Sequence, residues 1–167
     1  MERRTDEALI WSAPFDIALD WLDANGHLNM AYYHVMFDRT VDIALEALEF
    51  GVDYRNRQNA SIFNVETHVL YRQEVRGDDR VRVSVQLLGR DDKRLHVFQT
   101  MWRLADNTLV ASSESLFLHV HLGTRRVTAM PTAVCDALDR MIAHHAQAGM
   151  PENAGRRIAA LAPAPVR

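Results

Sequence analysis

The sequence predicts an α+β fold, an antiparallel sheet packed on one long helix with a shorter helix near the C-terminus. Three observations predict it. Apolar residues recur every three or four positions over residues 30–50, with no Gly or Pro among them. Four runs between residues 62 and 122 are rich in Val, Leu and aromatics and are separated by the turn-forming clusters GD, GRDDK and ADNT. A second helical pattern opens at Pro131. The length of 167 residues suits one domain, and a hydrophobic share of 48% is enough for a core.

The elements follow in order. The first ten residues read as loose. SAPFDIALDW alternates around Phe15, Ile17 and Leu19, which predicts a short strand. The long helix places Tyr33, Phe37, Val41, Ala44 and Leu48 on one face. Asn29 suits its N-cap and Gly51 its stop. A connecting stretch leads to IFNVETHVLYRQEV, and then come DRVRVSVQLLG, RLHVFQTMWRL and LVASSESLFLHVHL, paired through short turns. The last helix runs to His145 with Val134, Leu138 and Met141 on one side. The domain is taken as residues 1–148, and residues 149–167, ending LAPAPVR, as a fraying tail. A sheet covered by one helix leaves a face and edges open, which a partner subunit could cover.

Composition excludes several functions. A formal charge of −3 gives no nucleic-acid footprint. The N-terminus lacks a signal-peptide core and no apolar run has membrane-span length, so a cytoplasmic protein is expected. Cys135 is the single cysteine, which rules out an intramolecular disulfide. No G-x-S-x-G elbow, phosphate loop or dinucleotide fingerprint is present. His119 and His121 share a strand face, but no carboxylate or cysteine stands at ligand spacing, so no metal is expected.

The stretch DWLDANGHLNM concentrates polar chemistry just before the long helix. Asp23-Ala-Asn-Gly26-His27-Leu-Asn29, followed by Tyr33, resembles the active-site motif of hotdog-fold acyl-CoA thioesterases of the 4-hydroxybenzoyl-CoA type. VETHVLYRQEVRGDDRVRV and LFLHVHLGTRRVTAMP resemble two further segments of that family, in register. VETHVLYRQEV, LLGRDDKRLHVF and GMPENAGRRI are similar to thioesterases that accompany, or are fused to, L-carnitine dehydrogenase. The resemblance implies a hotdog fold whose sheet wraps a central helix, an acyl-CoA substrate (betainyl-CoA for the closer group), a homodimer or homotetramer, an active site at a subunit interface, and no cofactor beyond the CoA of the substrate.

Thioester hydrolysis needs an oxyanion donor and an attacking group. The resemblance places the donor at the Met30 backbone N–H, where a helix start offers free N–H groups and a positive dipole end. It places the nucleophile or general base at Asp23, with Gly26 letting the backbone approach the thioester. Asp and Asn are equally the residues of turns and caps, so local spacing alone does not make Asp23 catalytic. Asp20 reads as a supporting residue. His27 is a candidate to orient the carbonyl or Asp23, and Asn29 a cap or a substrate contact. Glu66 could position water or balance a cationic acyl group, although Glu66 and Thr67 cannot both face one pocket. Aromatic faces suit a quaternary ammonium, which makes Trp21, Tyr32, Tyr33, Phe63 and Trp102 candidates, foremost Trp21 and Phe63. Arg90, Lys93 and Arg94 on one turn, and Arg125 and Arg126 on another, could hold CoA phosphates. Two alternatives remain. A hotdog hydratase would carry D-x-N-P-x-H, from which DANGH departs by lacking the Pro and by a His one residue too close. A non-catalytic acyl-CoA-binding module would need no carboxylate aimed at a thioester.

Overall fold

The computed structural model describes residues 7–48 and 50–158. The order of the main elements is β1 (Ile10–Trp11), β2 (Phe15–Asp16), α1 (Met30–Ala47), α2 (Val52–Gln58), β3 (Ala60–Tyr71), β4 (Arg80–Arg90), β5 (Arg94–Arg103), β6 (Thr108–His121), β7 (Arg126–Val127) and α3 (Thr132–His145). The strands form one antiparallel sheet in the order β1-β4-β5-β6-β3, with β2 also on β4 and β7 also on β6. Among the described residues β3 is therefore an edge strand, and a bulge between Asn64 and Glu66 interrupts its pairing with β6.

The amphipathic pattern of α1 is realised. Tyr33, Met36, Phe37, Thr40, Val41 and Ala44 are buried, and of these Tyr33, Met36, Phe37, Val41 and Ala44 share the core with Val81, Val83, Val85 and Leu87 of β4 and with Val97 and Met101 of β5. Alternation on the strands supplies the matching face. Gln99 is buried in this layer, and its amide donates to Phe37 O at 2.9 Å, so the polar group is satisfied. α3 covers the β4 side of the sheet, where Leu87 N–H donates to His145 Nδ1 at 2.9 Å.

Several expectations change. Residues 12–21 give only the two-residue β2 and then a 3₁₀ turn over Leu19–Trp21, with Leu19 exposed to solvent. α1 ends at Ala47, and Gly51 instead precedes α2, a helix in what reads as a connecting stretch. Tyr54 is the buried residue of α2, so no periodicity announced it. Residues 149–158 are anchored: Gln86 donates to Gly149 O at 2.7 Å, and Gly155 N–H donates to the Glu114 carboxylate at 2.8 and 2.9 Å. The looseness expected of residues 1–6 and of residues 159–167 lies outside the described residues.

Candidate active site

The loop before α1 folds back on itself. Asp23 N–H donates to His27 O at 2.8 Å, and Gly26 N–H to Asp23 O at 3.0 Å. Gly26 takes φ +75°, a conformation that strains a side chain. Within this turn the Asp23 carboxylate accepts the backbone N–H of Asn25 at 2.8 Å and of His27 at 3.2 Å. Those donors hold its pKa below the ordinary aspartate range, so it is ionised at neutral pH. Leu28 N–H donates to Val75 O at 2.7 Å, which docks the turn on the β3–β4 connection, and Asn29 N–H donates to Trp21 O at 2.9 Å, which closes the loop on the 3₁₀ turn before it.

Asn29 caps α1, its side-chain oxygen accepting Ala31 N–H at 3.0 Å. Met30 is the first helical residue and is 63% exposed. It stands at the positive end of the helix, where backbone N–H groups lack an intrahelical acceptor. Asp23, His27, Asn29, Met30 and Tyr33 line one cleft of about 480 Å³, together with Tyr71 and Glu74. His27 Nε2 lies 3.2 Å from Glu74 Oε2. The Arg76 guanidinium, with His27 adding to it, holds the Glu74 carboxyl below its usual range. Burial pushes the Tyr33 phenol up to about 12, so it stays neutral.

Other predicted residues lie elsewhere. Trp21 stacks on Tyr32 at 5.0 Å, with the Arg39 guanidinium 5.9 Å from its ring. Phe63 faces the Arg125 guanidinium at 5.1 Å. Glu66 opens on a second cleft of about 510 Å³ against residues 155–157, on the strand face away from α1. Its neighbour Thr67 faces α1 instead, bonded to Ser115 Oγ at 3.0 Å, as strand alternation requires. Among the described residues Asp23 and Glu66 thus line different clefts. Arg90 donates to Asp139 through Nε at 2.8 Å and through Nη2. Arg94 donates to Asp91 at 2.6 Å, and Lys93 Nζ lies 3.9 Å from Asp92. These cations serve the β4–β5 turn and α3. His119 is structural, its Nδ1–H donating to Thr128 O at 2.9 Å and its Nε2 accepting the Tyr54 hydroxyl at 2.8 Å. Sequence reasoning missed Tyr71 and Glu74, whose only signal is the register that ends β3 beside the Asp23 loop.

An ionised carboxylate fixed by backbone donors lines one cleft with a helix N-terminus, an arrangement that can supply an attacking group and an oxyanion donor. Residues 17–138 match the family model of the thioesterase-like superfamily, and the chain belongs to that superfamily of thioester hydrolases. It is 33% identical to the betainyl-CoA thioesterase of Pseudomonas aeruginosa over 141 residues, covering 83% of this chain and 87% of that protein. It is 37% identical to the L-carnitine dehydrogenase/betainyl-CoA thioesterase of Agrobacterium fabrum over 142 residues, 84% of this chain but only 28% of that longer protein. A Staphylococcus aureus protein solved in complex with CoA superimposes with a TM-score of 0.78 at 25% identity, over 92% of this chain and 96% of that one. The DHNA-CoA thioesterase of the same organism gives a TM-score of 0.73 at 12% identity, over 84% and 97% of the two chains, and so shares the fold. Among the described residues no helix is long and apolar enough to cross a membrane.

Proposed function

We propose that the chain hydrolyses a short acyl-CoA, with betainyl-CoA as substrate and glycine betaine and CoA as products. The carbonyl oxygen accepts the Met30 N–H at the positive end of α1, which stabilises the oxyanion. In one route Asp23 takes a proton from the water that attacks the carbonyl carbon and returns it to the sulfur as the C–S bond breaks; in the other Asp23 attacks the carbon itself, CoA thiolate leaves, and water hydrolyses the resulting mixed anhydride, which releases glycine betaine, restores the Asp23 carboxylate and supplies the thiol proton. His27, held by Glu74, orients the carbonyl side of the cleft. Catalysis requires no metal or cofactor in this scheme, since CoA arrives as part of the substrate. The observation that carries the reading is that the ionised Asp23 carboxylate and the α1 N-terminus share one cleft. The betainyl group is supported by the names of the relatives, and CoA by the S. aureus neighbour.

The working unit in this reading is a homo-oligomer in the cytosol, at least a dimer. β3 is an unpaired edge carrying Val65 at 52% exposure, and such edges favour pairing with a second copy. A role for Glu66 in catalysis then requires contact across that edge. The test is free-thiol release from a panel of betainyl-CoA, a neutral branched analogue, benzoyl-CoA and a long-chain ester. Preference for betainyl-CoA is the expected result. Release from other esters but not from betainyl-CoA overturns the substrate, and no release at all overturns the reaction.

A further inference from the structure

We infer that the ring of Tyr71 binds the cationic end of the acyl group and sets the preference for it. The inference rests on the betainyl-CoA reading above, and reach decides it. A carbonyl oxygen bound to Met30 N–H sits about 2.9 Å from that nitrogen. The quaternary nitrogen of betainyl-CoA is two single bonds from the carbonyl carbon. It therefore falls within roughly 6 Å of the Met30 nitrogen.

Most aromatic candidates do not line the cleft that holds this position. Phe63 stands eight residues before Tyr71 on β3, about 25 Å away at the strand rise, and its ring already faces Arg125. Trp21 and Tyr32 stack on each other outside the cleft. Trp102 donates its Nε1–H to Thr100 at 2.7 Å and does not line the cleft either.

Tyr33 and Tyr71 are the aromatic residues that do line it. Tyr33 is one helical turn from Met30 but only 4% exposed. It packs edge-to-face on Tyr71, with centroids 5.1 Å apart and planes at 82°. Tyr71 is 46% exposed, and its hydroxyl lies 3.4 Å from His34 Nε2, which fixes the ring at the cleft wall. A trimethylammonium group forms no ordinary hydrogen bond, but a tyrosine face within about 6 Å attracts it electrostatically. The carboxylates of Asp23 and Glu74 line the same cleft and add to that field. A neutral tert-butyl group of equal shape gains the burial and not the charge term.

The experiment compares kcat/KM for betainyl-CoA with that for its neutral isostere 3,3-dimethylbutyryl-CoA. Tyr71→Leu is expected to lower the betainyl/isostere ratio about tenfold, and Tyr71→Phe to keep it within about twofold of wild type. Mono- and difluorinated phenylalanines at position 71 keep the ring shape and withdraw electron density, so the ratio should fall in steps. An unchanged ratio in Tyr71→Leu and across the fluorinated series, with wild-type preference intact, overturns the role of Tyr71 alone. A wild-type enzyme that treats both esters equally overturns the substrate reading, and this inference with it.

Discussion

Two clefts of similar size make the most instructive comparison in this molecule. Each holds carboxylates and histidine, yet they are satisfied differently. At the α1 N-terminus, Asp23 is held by two backbone N–H groups of its own turn, and the exposed Met30 end of the Asn29-capped helix fronts the same cleft. On the outer sheet face, Glu114 accepts His96 at 2.6 Å and both contacts of Gly155 N–H, while Arg90 and Arg94 are committed to Asp139 and Asp91. Composition would rank the outer cleft as the richer site. Satisfaction of its polar groups ranks it as a structural brace, because fixed partners leave fewer of its charges for a ligand.

The difference in how the two clefts are satisfied has measurable consequences. The largest concerns stability in acid. His145 is fully buried, with Nδ1 accepting Leu87 N–H, and burial lowers its pKa from 6.5 to about 4. The unfolded chain takes up a proton that the folded chain refuses, so stability is full above pH 6.5 and falls as the pH drops toward 4. Urea melts at the two ends of that window should differ by about 3 kcal/mol. A His145→Gln protein should lose much of that slope, and an equal slope would show that other groups carry it.

Next comes the brace itself. Glu114→Ala removes the acceptor of the Gly155 N–H and of the His96 ring, both open to water, and should cost about 1–2 kcal/mol in the same melts. Thiol release should stay within about threefold, and a hundredfold loss would make the outer cleft functional. A smaller effect is expected at the turn. Gly26→Ala meets no atom within 4 Å, but its φ of +75° is strained for alanine, at a cost of about 1 kcal/mol. That strain displaces the Asn25 and His27 donors, so kcat should fall more than stability does, and unchanged kcat would argue that the turn does not position Asp23.

Legibility in the sequence followed the range of the forces involved. α1 was readable because period, cap and apolar stripe are local: Asn29 caps it, and Tyr33, Phe37, Val41 and Ala44 are buried as spaced. The Asp23 turn was readable for the same reason. β1 was not, since two residues carry no period and Ile10 is defined only by pairing with Val85, far along the chain. α2 offered one buried residue in seven. The membership of the cleft was only half legible. Tyr71 and Glu74 reach it through sheet register and the dock between Leu28 and Val75, which no local pattern encodes. Glu66 could be assigned to alternation with Thr67, but not to a face.

The most direct measurement is kcat for CoA release by Asp23→Asn beside Glu66→Gln. Asparagine keeps an oxygen to accept the Asn25 and His27 N–H groups, so the turn should survive while the ionised group is lost. Asp23→Asn should lose a hundredfold or more with an unchanged melting temperature, and Glu66→Gln less than tenfold. The reverse order, or an Asp23→Asn enzyme within a few fold of wild type, would contradict the assignment of the α1 cleft as the site of hydrolysis.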